Sequence, residues 1–308
     1  MFDTIPEEFH ELVERAKGIG RPLRVALCGA DVENMLQGIF EAADDGFVEP
    51  ILVGNYKKVS AMLDKLGLSE RKYDFQPVSN DVSPVQYAIE MVRAGSADAL
   101  MRGNTQTRDF LLPVLNKTNH LIDKDTLLTH VNMYKIPGYS RILAISDVTI
   151  LIKPSLEQRE MVVKNMVEAL NIIGVKNPNI ALLALVEKPS FHIRDTVEAQ
   201  SIVLHHREEP LAECNLVGPI TYDLIMSKHS AELKNYDCPY CGEFDGIVVP
   251  NLLSGNIICK VLDVHAGVVG CCLLIGAKVP IAITGRSESK EQAYLSLAGI
   301  AVQSMHQK

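Results

Sequence analysis

Arg286 is the residue whose neighbours best fit it for chemistry. It follows the apolar run VPIAIT, residues 279 to 284, which reads as a strand, and precedes a helical pattern from about Glu288 to Gln303. A side chain at such a junction faces what binds at the strand's carboxyl end. A guanidinium there offers a planar fork that grips two oxygens of a phosphate or carboxylate at once. The plain alternative is a surface Arg in a turn. Glu288 and, one helical turn on, Glu291 place carboxylates beside it. Each fits a general base, a strut for Arg286, or a complement to the helix dipole.

Similar polar turns end other apolar runs: Cys28-Gly29-Ala30-Asp31, Arg102-Gly103-Asn104-Thr105, Gly218-Pro219 and Gly285-Arg286-Ser287. A turn that opens a helix exposes N–H groups suited to an anion. Each Gly could equally serve only a tight turn. Arg102, Asn104 and Thr107 form a polar cluster after ADALM, residues 97 to 101. Arg141 and Asp147 flank ILAIS and are expected as a second pair. Asp223 and Ser227 lie four apart on one face of an expected helix, and Asn256 and Lys260 repeat that spacing after Gly255. Solvated or capping pairs have the same spacing. Neither G-x-G-x-x-G nor a Walker A motif is present, which argues against a standard Rossmann dehydrogenase or P-loop kinase.

Cys238-Pro239-Tyr240-Cys241 is a C-x-x-C. Zinc would need two further ligands, and Cys214, His229 and His265 are arbitrarily spaced. Thioredoxin-like chemistry would place the motif at a helix start after a strand, whereas here it precedes the apparent strand GIVVP. A loop is the reading preferred, and no metal site is expected. His205 and His206 read as surface residues near a helix end.

The elements that must position these residues alternate along the chain. Phe9, Leu12, Val13 and Ala16 repeat at helical spacing; LRVALC (23–28) reads as a strand, and a helix with Met35, Leu36, Ile39, Phe40 and Ala43 on one face follows. PILVG (50–54) is the next strand, and helices are expected near 56–66, 84–94 and 107–117. Residues 127–152 read as successive strands around a Pro-Gly turn, followed by a helix from Leu156 to Ile173 and a strand at 179–185. Near-continuous apolar strands alternating with amphipathic helices indicate an α/β protein with mainly parallel sheets and helices on both faces.

The chain has 308 residues, enough for two domains, and a net charge of −8, which argues against nucleic acid as the main partner. The acidic start lacks a signal-peptide pattern, and no run approaches a membrane span. Seven cysteines are too few for a disulfide scaffold. A cytoplasmic protein with no membrane partner is expected.

Taken in order, six segments resemble the phosphate acetyl/butyryltransferase family. GADVENMLQGIFEAADDGFVEPILVGN (29–55) is similar to its opening unit, and LMRGNTQTRDFLLPVLNK (100–117) to its K/R-G-N-x-x-T segment. LTHVNMYKIPGYSRILAISDVTI (128–150) carries the S-H-V, Pro-Gly and T/S-D pattern, and VGPITYDLIMS (217–227) resembles D-G-P-L-x-x-D-x-x-x-S. GEFDGIVVPNLLSGNIICK (242–260) resembles the G-D-A-D-I-L-V-V-P segment and its G-N-x-x-Y-K ending, and GAKVPIAITGRSES (276–289) the K-V-P-V-V-L-T-S-R-x-D-S segment.

The resemblance implies a two-lobed fold like isopropylmalate dehydrogenase. One lobe would hold residues 1–130 with 273–308 and the other 131–272, with the active cleft between them. It implies transfer of a short-chain acyl group between coenzyme A and inorganic phosphate. Coenzyme A is then substrate or product, no cofactor is permanently bound, and the assembly is a homo-oligomer, dimer or larger. Arg286, Glu288 and Glu291 would be catalytic. Arg102, Asn104, Thr107, Arg141, Asp147, Arg194, Asp223, Ser227, Asn256, Lys260, Gly285 and Ser287 would bind substrate.

The chain departs from the family pattern near this site. The family's Ser before the Arg is Gly285, its Asp is Glu288, and the Asp of D-G-P-L is Val217. The segment the family writes N-P-K-M-P-S-S is SFHIRDT (190–196), in which Arg194 would restore the charge lost with the Lys. A hydroxyl that could help the thiolate leave is missing at 285; if it is a missing catalytic part, Gly285→Ser should raise transfer, and no change would mean the site works, or fails, for another reason. A catalytically altered protein that binds coenzyme A or acyl phosphate is the alternative.

Overall fold

The computed structural model describes residues 5–285 and 288–306. The chain forms two compact units, Met1–Thr126 with Gly270–Lys308, and Leu127–Val269. In the first, α1 (His10–Lys17) precedes four βα repeats: β1 (Leu23–Cys28) and α2 (Glu33–Asp44), β2 (Val48–Gly54) and α3 (Tyr56–Leu66), β3 (Asp74–Pro77) and α4 (Pro84–Arg93), β4 (Ala99–Arg102) and α5 (Thr107–Leu115). The second unit holds β5 (Thr129–Lys135), β6 (Ile142–Ser146), α6 (Leu156–Ile172), β7 (Asn179–Leu183), α7 (Arg194–Glu208), β8 (Asn215–Ile220), α8 (Tyr222–Met226), α9 (Lys228–Lys234), β9 (Gly246–Val248) and α10 (Leu252–Val261). The chain returns to the first unit through β10 (Val269–Ile275), β11 (Ile281–Ala282) and α11 (Lys290–His306).

The strands of the first unit run in the order β3-β2-β1-β4-β11-β10, parallel except for the β10–β11 pair. Those of the second run β5-β6-β9-β7-β8, parallel except for β5–β6. Parallel strands are covered on both faces, so their sequences need not alternate. Accordingly ILAIS of β6 and VALC of β1 are buried at every position.

α11 is buried from Gln292 to Gln303 and crosses α2 at Gly38, where a Cβ would lie 2.8 Å from Ala293 Cβ and 2.9 Å from the Lys290 carbonyl. Two of its buried side chains bond to β10: the Cys272 amide donates to Ser296 Oγ, and Gln303 Nε2 donates to the Leu274 carbonyl. At the amino ends of β1 and β4, Asp98 accepts from Arg21 and Arg24 side chains and from the Arg24 amide.

Several boundaries differ from the expectation. β4 covers 99–102, so Arg102 is the last strand residue. α5 stops at Leu115, where Asn116 turns extended and caps a short 3-10 turn with its side chain. β7 ends at Leu183. α11 starts at Lys290 and reaches His306, because a helix buried on all sides has no polar stripe to mark its length.

Candidate active site at the carboxyl ends of the first sheet

In the first unit β1 lies between β2 and β4, so the chain leaves β1 toward one side of the sheet and comes back on the other. Loops diverge at such a switch point and leave a crevice at the carboxyl ends. The turns after β1 and β4 pack on each other there: the Gly103 amide donates to the Cys28 carbonyl at 2.9 Å and the Asn104 amide to that of Gly29 at 2.7 Å. A Cβ on Gly103 would lie 2.2 Å from the Gly29 carbonyl oxygen, so only glycine permits this approach. The crevice has a volume of about 480 Å³, and its lining includes Asp31, Asn55, Lys58, Ser83, Asn104 and Thr105.

Three helices open toward this edge. Asn55 caps α3 and Ser83 caps α4 through their side chains, but Gln106 makes no side-chain cap on α5. The amide end of α5 is therefore disposed to an anion. Arg102 is buried at the base of this turn and donates from Nη1 to Thr107 Oγ1 at 2.8 Å; Asn104 Nδ2 donates to Asp31 at 3.0 Å. The expected cluster of Arg102, Asn104 and Thr107 is thus assembled on one turn.

β11 lies beside β4, with Ala282 opposite Met101. Arg102 and the Thr284–Gly285 turn therefore leave adjacent parallel strands at one edge. Thr284 is buried, and its hydroxyl has no hydrogen-bond partner among the described residues. Glu288 lies close to Gly285: a Cβ at 285 would fall 2.5 Å from Glu288 Oε1. The other oxygen, Oε2, lies 3.7 Å from Cys272 Sγ, and Asn34 Nδ2 donates to the Glu288 carbonyl. Ser289 caps α11, since Gln292 Oε1 accepts from the Ser289 amide and Ser289 Oγ from the Gln292 amide. Glu291 sits in the first turn of α11. Arg286 and Ser287 lie outside the described residues.

In the second unit the expected pairs do not form. Arg141 binds Asp245 at 2.9 Å and approaches Glu243 at 3.7 Å, at the amino ends of β6 and β9, while Asp147 follows the carboxyl end of β6. A strand separates the two. Asp147 Oδ1 accepts from the amides of Thr149, Ile150 and Leu151, and Oδ2 from that of His130. Burial pushes this carboxyl up, against four backbone donors that pull it down. Its role is to hold the turn after β6.

Asp223 and Ser227 share no helix. α8 ends at Met226, Asp223 pairs with Lys234, and Ser227 caps α9. Asn256 and Lys260 both lie on α10 but bond apart, Asn256 to the Val148 carbonyl at 3.4 Å and Lys260 to Asp263. Arg194 opens α7, exposed and paired with Glu198.

Sequence reasoning missed a buried polar row on β5. His130, Asn132 and Tyr134 alternate along the strand; His130 Nδ1 lies 2.6 Å from Thr149 Oγ1, and Asn132 Nδ2 donates to the Tyr134 hydroxyl. The period-two spacing of polar residues in THVNMYK was the available signal. Arg159, fully buried in the first turn of α6, gave none, because a lone Arg in an amphipathic helix reads as solvated.

Cys238 and Cys241 are free thiols in the turn before β9, and burial pushes Cys241 up to about 12. Such a thiol is a poor nucleophile. Among the described residues, no group of three or more His, Cys, Asp or Glu side chains is placed to hold a metal ion, and no helix is long and apolar enough to cross a membrane.

Residues 68–301 match the family described as phosphate acetyl/butaryl transferase. The chain belongs to this family. It is 29% identical to the phosphate acetyltransferase of Thermotoga maritima over 95% of this chain and 98% of that one. It is 27% identical to the phosphate butyryltransferase of Clostridium acetobutylicum, over 95% and 96%. Among solved structures, a branched-chain phosphotransacylase from Enterococcus faecalis V583 superposes with a TM-score of 0.78 at 26% identity, covering 92% of this chain and 99% of that one. The α/β fold with largely parallel strands is therefore that of a phosphotransacylase. Gly285 follows β11 at the edge where Arg102 and Thr107 meet.

Proposed function

We propose that this protein transfers a short-chain acyl group between coenzyme A and inorganic phosphate. The observation that carries the reading is the convergence, at one edge of the first sheet, of buried Arg102, the amide end of α5 without a side-chain cap, and the Gly285–Glu288 turn. A dianion needs positive charge and oriented N–H donors, and these supply both. In the forward reaction an oxygen of hydrogen phosphate attacks the thioester carbonyl, and Glu288 takes the proton from that phosphate. The tetrahedral intermediate then collapses, the C–S bond breaks, and the proton passes to the coenzyme A sulfur. The products are acyl phosphate and free thiol.

Arg102, Asn104 and Thr107 serve phosphate in this proposal. Arg286 stabilises the oxyanion in this proposal, with Glu291 and Ser287 as further contacts of the substrates. Arg194, Asn256 and Lys260 are retained as contacts for coenzyme A. The chemistry assigned here calls on no resident metal or redox group. Seven free thiols fit a reducing, cytoplasmic location, and a second copy of the chain is the partner proposed for the exposed face of α10.

The test follows free thiol from acetyl-, propionyl- and butyryl-CoA with and without phosphate. Phosphate-dependent release is expected. The altered 190–196 segment favours one other reading, a protein that binds coenzyme A without turnover. Calorimetric binding with no thiol release would establish that reading instead.

A further inference from the structure

Gly285 does not owe its identity to backbone conformation. Its φ lies outside the left-handed region, so any residue could adopt it. The nearest atoms a side chain there would meet belong to the Glu288 side chain: a Cβ would fall 2.5 Å from Oε1, 3.1 Å from Cδ and 3.2 Å from Cγ. The far end of a flexible side chain can swing away, so a larger residue at 285 would displace the carboxylate rather than break the turn. On its other side the carboxylate meets the buried thiol of Cys272, 3.7 Å from Oε2.

We infer that Gly285, Glu288 and Cys272 form one coupled unit, in which the absent side chain at 285 makes room for the longer acid and Cys272 holds it in place. Gly285 and Cys272 are then positioning residues for Glu288. The inference rests on the proposed transfer reaction and says which residues of this chain set its proton-handling group. It also reverses the expectation for Gly285→Ser: adding the hydroxyl alone pushes Glu288 out of position and lowers transfer.

The test is a double-mutant cycle on phosphate-dependent thiol release. Gly285→Ala and Gly285→Ser should each lower kcat on the order of tenfold with KM for acyl-CoA little changed, while the melting temperature holds. Glu288→Asp alone should also lose activity, because the shorter acid no longer reaches its place. Combining Gly285→Ser with Glu288→Asp should cost far less than the product of the two single losses. Cys272→Ala should lower kcat severalfold, and Cys272→Ser, which keeps a donor, should restore most of it. Single losses that multiply, a Gly285→Ala enzyme with unchanged kcat, or a Cys272→Ser enzyme no better than Cys272→Ala would each overturn the coupling. A wild-type protein that releases no thiol overturns the transfer reading and this inference with it; an active wild type with multiplying losses overturns the coupling alone.

Discussion

Arg159 makes the sharpest stability argument at the scale of one residue. It is fully buried, and none of its guanidinium nitrogens has a hydrogen-bond partner among the described residues. Glu198 Oε2 lies 3.6 Å from Nη1, an ion pair beyond hydrogen-bonding distance, and burial holds the guanidinium below its usual range against the pull of Glu198 and Asp195. Charges buried this way return little net stability, yet removing one partner strands the other. Glu198→Gln is therefore expected to destabilise the fold by about 3 kcal/mol. Arg159→Met, which fills similar volume and leaves Glu198 its exposed partner Arg194, should stay within about 1 kcal/mol of wild type or gain stability. Urea unfolding of both variants measures the contrast; equal losses would contradict it.

At the scale of elements, the first sheet is pinned at one end by charge and at a helix crossing by close packing. Burial alone would raise the Asp98 carboxyl, but hydrogen bonds from Arg21 and Arg24 hold it well below the usual range. The folded pKa lies below the unfolded one, so the stabilisation is present above the unfolded value of about 3.9 and fades as pH falls through it. Asp98→Asn should cost about 1 kcal/mol near neutrality, a modest figure because solvent screens the pair. That difference should shrink below about pH 4. Thermal melts of both proteins across that range read it directly. At the α2–α11 crossing, Gly38→Ala would force a methyl within 3 Å of Ala293 and the Lys290 carbonyl. Pushing the helices apart should cost about 1–3 kcal/mol, seen as a lower urea midpoint at unchanged slope.

These elements also show what the sequence made legible. Strands such as LRVALC and ILAIS, and helices with clear stripes, stood out because burial writes period and apolarity into local residues. β3 did not: DFQP is a partly exposed strand of four residues ending in Pro77, with no apolar run to mark it. Of the site, the Arg102–Asn104–Thr107 turn was readable because its members are near in sequence. Arg141 and Asp147 misled because flanking one strand puts two residues at opposite ends of it. The Gly285–Cys272 relation was invisible, since it depends on β10, Gly285 and Glu288 meeting in space.

At the scale of the whole molecule, one helical face leaves a row of large apolar side chains exposed. Leu253, Ile257 and Val261 on α10, with Val264 in the π turn that follows, are all more than half exposed, at 69%, 52%, 51% and 71%. Their spacing of four, four and three places them on one helical face. Four large apolar side chains in one stripe are more than scattered surface residues. The stripe is also close to symmetric about residue 259. Two copies of the helix crossing antiparallel would set Leu253 against Val264 and Ile257 against Val261, the self-complementary pattern a two-fold interface requires. The proposed occupant is therefore a second copy of this chain. Sedimentation equilibrium should give twice the chain mass for wild type. Ile257→Glu combined with Val261→Glu should give a monomer with an unchanged circular dichroism spectrum, because burying two carboxylates in each protomer's half of an apolar seam costs several kcal/mol. A wild type that sediments as a monomer, or a dimer that survives both substitutions, would move the interface off this face.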